Sequence, residues 1–330
     1  MRPSAPSEDA PGPLPSSVFG YIWRTDARNQ ILLALLTVVV FLLSMAPLEF
    51  QRRIINNGLG GSDLSLLILL CLAYAATALT MGGLKLGLNV FRGFASEKAT
   101  RRLRERVHAA CAAPAAGSAP NGAVEIEMVV AEVEPVGSFV GMAFSEPLLQ
   151  GGILVTVFGY MLVIQPWMAL ICIALFVPQM IFVPIMQRAI NLRTRARIWI
   201  MRDMSAGLLG EKATAPDAPF ARQTQRVFDL NMQIFKWKFT MNFFMNGLYH
   251  LSVVGVFLVG GSFVLAGHAT IGTIVAFATG IAQLNDPWGD LVNYFRDSSA
   301  AQVKYRLIAG VLDPPPANTG AAAALTPSAG

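Results

Sequence analysis

Several polar residues lie inside apolar stretches at spacings that put them on shared faces. Lys85, Asn89 and Arg92 recur at i, i+4 and i+7 and so lie on one face of a helix. Asn242, Asn246 and His250 do the same further along. Gln283, Asn285, Asp286 and Asp290 gather around Pro287, and Gln179 lies between Pro178 and Pro184. An ionisable side chain near the bilayer centre costs about 2.5 kcal/mol or more on insertion scales, so such residues turn toward protein or water and often carry function. Lys85, Asn89, Gln179, Asn246, His250, Gln283 and Asp290 are therefore expected to line a central pathway for a polar or amphipathic substrate. Inter-helix hydrogen bonding is the ordinary alternative for Asn, Gln and His in membranes. Arg92, Asp286 and Asp290 also fit the edge of the membrane.

No residue pattern points to covalent catalysis. There is no HExxH, no paired intramembrane Asp motif and no Ser-His arrangement. Cys71, Cys111 and Cys172 are isolated, so neither a disulfide framework nor a zinc site is indicated. No GxxxxGK(S/T) phosphate loop and no LSGGQ-like run occurs, and Gly82-Gly83-Leu84-Lys85-Leu86-Gly87 lies in an apolar span with no strand before it. The expectation is no catalytic, cofactor-binding or metal-binding residue in this chain.

The elements that must position these residues are membrane helices. Of 330 residues 54% are hydrophobic and only 14% charged, against about 25% charged in an average soluble domain. Mean hydropathy is +0.52. Apolar residues collect in six blocks near 30–50, 64–94, 147–164, 167–186, 242–266 and 271–295, each long enough to cross about 30 Å of hydrocarbon. These numbers exclude a soluble globular enzyme, a disordered chain and an ordinary nucleic-acid-binding domain. The net charge of +5 needs no nucleic acid, because basic residues gather on the cytoplasmic loops of membrane proteins. Residues 1–17, rich in Pro, Ser and Ala, read as a disordered cytoplasmic tail without the features of a signal peptide, and 314–330 as a disordered Pro/Ala tail. Residues 18–313 form the membrane domain. Trp167, Trp288 and Tyr294 fit either interfacial anchoring or interior packing, and Asp297, Lys304 and Arg306 fit a solvated helix after the last span.

Orientation follows from the basic residues. With the N-terminus inside, the inner segments hold three before the first span, six over Arg92–Arg106, ten over Arg188–Lys238 and three after Asn293. The outer loops hold only Arg52 and Arg53, and Lys85 lies within the second span. Both termini are thus expected in the cytoplasm, with the chain in a plasma or inner membrane. The gaps after spans two and four are each about fifty residues and face the same side. Structureless loops of that length are uncommon, so each is expected to be a helical hairpin, broken at 114–122 and at 213–219. The fold class is therefore all-α: six transmembrane helices extended into the cytoplasm by two long helical hairpins, whose tips dock a cytoplasmic partner.

This organisation resembles the transmembrane domain of a type IV (type I exporter-fold) ABC transporter. Leu103-Arg104-Glu105-Arg106-Val107, leading to Gly122-Ala123-Val124-Glu125, is similar to the family's run around its first coupling helix, and Glu132-Val133-Glu134-Pro135-Val136 to its "D-V-E-x-(V/I)" segment. Ile271-Gly272-Thr273-Ile274-Val275-Ala276-Phe277, Pro287 and Ser299–Ile308 resemble its "(V/I)-G-x-(L/I)-V-A-F … P … R-(I/L)" pattern. The resemblance spans about residues 20–313. It implies a permease that works as a homodimer or heterodimer with a second transmembrane domain. ATP and Mg would then sit on a separate nucleotide-binding ATPase subunit, since no nucleotide motif is present here. It also implies coupling residues in the two tips: Ala112, Pro114, Asn121, Gly122 and Glu125 in the first, Glu211, Asp217 and Phe220 in the second. A proton-driven secondary transporter on the same fold and a non-transporting regulatory or remnant form are the alternatives.

Overall fold

The computed structural model describes residues 15–60, 63–112, 122–209 and 218–312. Every element among them is helical: α1 (Val18–Leu43), α2 (Ala46–Arg53), a π-helical segment (Ile54–Leu59), α3 (Leu64–Ala112), α4 (Gly122–Met142), α5 (Ser145–Ile164), α6 (Pro166–Leu209), α7 (Ala218–Leu265) and α8 (Ile271–Leu312). Five helical stretches are long and apolar enough to cross a membrane: 18–59, 64–109, 145–164, 166–201 and 220–265. The chain is a helical, multi-pass membrane protein. The sixth expected block is helical too, as the first half of α8, but it is not among those five. Gln283, Asn285, Asp286 and Asp290 dilute its hydropathy.

The breaks have local causes. Pro166 lacks an N–H and opens α6 at its first position, where no intrahelical donor is needed, while the Gln165 carbonyl accepts from Ala169. After α7 the chain reverses at Gly267, whose φ of +74° suits glycine. The His268 N–H donates to the Phe263 carbonyl and the Gly267 N–H to Val264, the paired bonds of a Schellman termination. Asn56 in the π-helical segment then clasps the start of α8. Its Oδ1 accepts from the Gly272 N–H and its Nδ2 donates to Thr270 Oγ1, each at 2.9 Å.

The chain divides into two compact units. The first comprises residues 1–37, 85–148 and 294–330. Its core joins Val18, Tyr21 and Ile22 of α1 to Leu103 and Val107 of α3, Val136 and Phe139 of α4, and Tyr294, Tyr305 and Ile308 of α8. Helices α3 and α4 run antiparallel and close together, since a Cβ on Gly137 would overlap Thr100 and one on Gly141 would overlap the Arg92 carbonyl. Within α1 the backbone leaves helical geometry at Asp26, whose carboxylate accepts from Asn29 and pairs with Lys98. Pro15–Ser17, placed in the tail by composition, are tied to α8: the Tyr305 hydroxyl donates to Pro15 and the Gln302 amide to Ser16. Burial, with Tyr21 alongside, pushes the Tyr305 phenol up to about 12. Lys304, expected in solvent, pairs with Glu132 instead.

The second unit comprises residues 38–84 and 149–293. Its long feature is the antiparallel pair α6–α7, which keeps one register throughout. Met168 lies beside Gly260, Phe182 against Phe244, Arg193 bonds Gln233, Arg197 bonds Asn231, and Gln223 bonds Asp203. The pair thus passes from an apolar stretch to a polar one without a change of partner.

Candidate functional site

Most of the polar residues expected to line a pathway fall in the second unit, and the structure sorts them into two groups. Gln179 is 4% exposed, on the α6 face that also carries Cys172 and Phe176 at i−7 and i−3. That face, with Tyr249 and Ser252 of α7 and Ile281, Leu284 and Asn285 of α8, encloses a cleft of about 10 Å³. This is about the free volume that one water requires. The helices meet here because their facing residues are aromatic or small. Phe176 packs edge-on against Phe158 and Trp288, and the Ser252 hydroxyl satisfies itself on the Leu248 carbonyl one turn back.

Four polar atoms in this region are buried without a partner: Gln179 Oε1, Asn285 Oδ1, Gln283 Oε1 and the Trp288 indole Nε1. A buried polar atom without a hydrogen bond costs about 1–3 kcal/mol, and of these four Gln179 and Asn285 belong to the cleft, which has room for about one water. Asp290 lies further along α8, where it accepts from Gln150 Nε2 of α5 at 3.2 Å.

Asn246 and His250 are not part of the cleft. The buried positions of α7 are Ser252, Val256 and Gly260, and both residues lie exposed on another side, His250 in ring contact with Tyr249. The spacing placed Asn246 and His250 on one face correctly, but could not say which face packs.

Lys85 and Asn89 belong to the first unit and are likewise exposed. Arg92, one turn on, is different: it is largely buried and ion-paired with Glu146 at the start of α5. Its Nε and Nη2 have no partner. Glu146 and Gln150 are the polar partners that sequence reasoning missed. The available signal was their i, i+4 spacing at the head of the third apolar block.

In α2, Glu49 binds both Arg52 and Arg53 and accepts from the Tyr160 hydroxyl of α5. Of the residues expected at the tips, Pro114, Asn121, Glu211 and Asp217 lie outside the described residues. Ala112 ends α3, Gly122 begins α4 with Glu125 in its first turn, and Phe220 stands exposed in the first turn of α7. Trp288 and Tyr294 are interior residues, the latter donating to the Ala143 carbonyl, whereas Trp167 is exposed. Among the described residues no three His, Cys, Asp or Glu side chains converge as a metal site requires. Comparison with protein-family models and with curated proteins returns no match for this chain.

Proposed function

We propose that this chain is the membrane-spanning subunit of an ABC exporter-type transporter, paired with a second transmembrane domain and driven by ATP and Mg on a separate ATPase subunit. The observation that carries the reading is helix length. Helices α3, α6, α7 and α8 have 49, 44, 48 and 42 residues. At about 1.5 Å per residue each reaches roughly 60–75 Å, twice the hydrocarbon thickness. On this reading the surplus of α3 and α4 forms one cytoplasmic stalk, that of α6 and α7 the other, and α8 supplies the sixth crossing.

Charge supports the orientation. Twenty-two of the 25 basic residues fall on segments this topology puts inside, while the two outer arginines share the single Glu49 carboxylate as ion-pair partner. The exposed polar residues support the pairing. Lys85, Asn89, Asn246 and His250 cannot face hydrocarbon cheaply, and a second transmembrane domain or a water-filled pathway accounts for them. Substrate would move past these residues and the Gln179 cleft as the helices alternate between inward and outward exposure. The stalk tips would transmit the motion of the ATPase.

The test uses the full chain in its native membranes, with Asn121→Cys or Asp217→Cys at a tip, cross-linked in the presence of a photoreactive ATP analogue. The expected product is a cross-linked adduct carrying the nucleotide label. If neither tip yields a labelled adduct, coupling through the tips fails and with it this assignment.

A further inference from the structure

Helices α6 and α7 hold one register, so depth in the membrane can be carried from one to the other. Phe182 packs against Phe244 and Arg193 bonds Gln233. Counting along both helices from these pairs puts Met186 level with Thr240, and Arg188 level with Lys238. The apolar run 167–186 of α6 rises about 30 Å, which is the thickness of the hydrocarbon. The hydrocarbon therefore ends near Met186 on α6 and Thr240 on α7. Trp237, three residues past that level, stands where interfacial aromatics gather.

Charge beyond this edge has one sign. Arg188 and Lys238 lie about 3 Å past it, Lys236 about 6 Å, Arg193 about 10 Å and Arg195 about 14 Å. Positions 166–202 and 230–265 contain no Asp or Glu. The first carboxylates met are Asp229 and Asp203, about 16 and 25 Å past the edge, where they accept from Gln225 and Gln223. On α8, Asn285 meets Gln179 in the cleft about 10 Å before the edge, so Asp286 and Asp290 also come before it. Among the described residues no ion pair joins any of the five cations to a carboxylate. Arg193 is held by neutral groups: Gln233, the Ala189 carbonyl and the Trp237 ring. Arg188, Lys236 and Lys238 are exposed. The rest of the same hairpin, 167–186 and 241–265, carries no Lys, Arg, Asp or Glu.

A headgroup layer is about 5–8 Å deep on each side of the hydrocarbon, so Arg188, Lys236 and Lys238 fall within it. Side chains of α6 lean toward its N-terminus, which is the membrane side, and lysine stems bend freely, so all three ends can reach lipid phosphates. Lys236 and Lys238 are two positions apart and do not share a face of α7. The cations thus form a collar that meets several lipids rather than a pocket for one.

We propose that this collar is a docking surface for anionic phospholipid headgroups, with Arg188, Lys236 and Lys238 each contacting a phosphate of the adjoining leaflet. The carboxylate-free layer supplies the charge complementarity, and the register supplies the depth. The inference rests on the membrane character of the chain and stands whether or not the chain transports anything.

The experiment reconstitutes the full chain in vesicles of equal phosphatidylglycerol and phosphatidylcholine, releases it in mild detergent and counts the retained lipids by native mass spectrometry. Phosphatidylglycerol should be retained about fivefold over phosphatidylcholine, the ratio expected for one Lys or Arg at each anionic headgroup. Arg188→Gln with Lys238→Gln should lower the ratio to about twofold, Lys236 remaining. Arg188→Lys with Lys238→Arg, which keeps the charge, should leave it at the wild-type value. So should Arg222→Gln with Arg226→Gln, since these lie more than about 20 Å past the edge, beyond the reach of screened charge. A ratio near one in the wild type, or an unchanged ratio in the Arg188/Lys238 glutamine variant, would overturn the surface. An equal fall in either of the other two variants would do the same. So would an acidic polypeptide that the wild type retains at low salt and the glutamine variant loses, because the collar would then belong to a protein partner.

Discussion

Gln179 is the residue whose burial is hardest to explain by packing alone. It lies between two prolines of one helix, 4% exposed, with its carbonyl oxygen unpartnered in a cleft no larger than a water. Interior amides are normally satisfied, and leaving one unsatisfied opposes folding. Gln179→Leu should therefore stabilise the purified protein by about 1 kcal/mol, read as a higher thermal midpoint in detergent. A lower midpoint would mean that the amide is satisfied and structural. Its sequence surroundings made Gln179 conspicuous, whereas the roles of Glu146 and Gln150 became visible only once α3 and α8 supplied Arg92 and Asp290 as partners. Residues that act as partners across 54 and 140 positions of chain leave no local pattern to read.

Among the elements, the α3–α4 hairpin depends most on a few small residues. Its helices approach so closely that Gly137 and Gly141 have no room for a Cβ, the first against Thr100 and the second against the Arg92 carbonyl. Gly137→Ala should destabilise the protein by about 2 kcal/mol despite the better helix propensity of alanine, because the obstruction includes backbone and cannot swing away. Gly82→Ala and Gly83→Ala, which meet nothing within 4 Å, should be neutral or slightly stabilising. Equal thermal midpoints for all three variants would refute the close approach. The helical nature of both excursions was legible in sequence from their charged, helix-compatible residues and mid-point breaks. The glycine contacts were not, since a glycine in a helix looks the same whether it faces a neighbour or open space.

At the scale of the whole molecule, the proposed topology makes a labelling prediction. In a background with Cys71, Cys111 and Cys172 replaced, Asn57→Cys should react with a membrane-impermeant maleimide in intact cells. Ser118→Cys and Ser299→Cys should react only after permeabilisation. Labelling of Ser299→Cys in intact cells would place the end of α8 outside and undo both the six-span count and the two cytoplasmic stalks. The prediction belongs to this scale because it depends on the parity of crossings. Helix α8, which is not among the five stretches long and apolar enough to span, decides that parity.

Composition and the clustering of apolar residues determined the membrane character, the approximate helix limits and the polar residues set within them, because partitioning into hydrocarbon depends on local sequence alone. Helical period also determined which of those residues share a face. Only the tertiary structure decided which faces are buried: Gln179 and Arg92 inward, Asn246, His250, Lys85 and Asn89 outward. It likewise decided that Pro15–Ser17 are held against α8 and that Arg92 finds Glu146. The physical reason is that a hydrophobic membrane helix is apolar on every side. The side that packs is then chosen by small residues and long-range polar partners rather than by an amphipathic pattern that sequence alone displays.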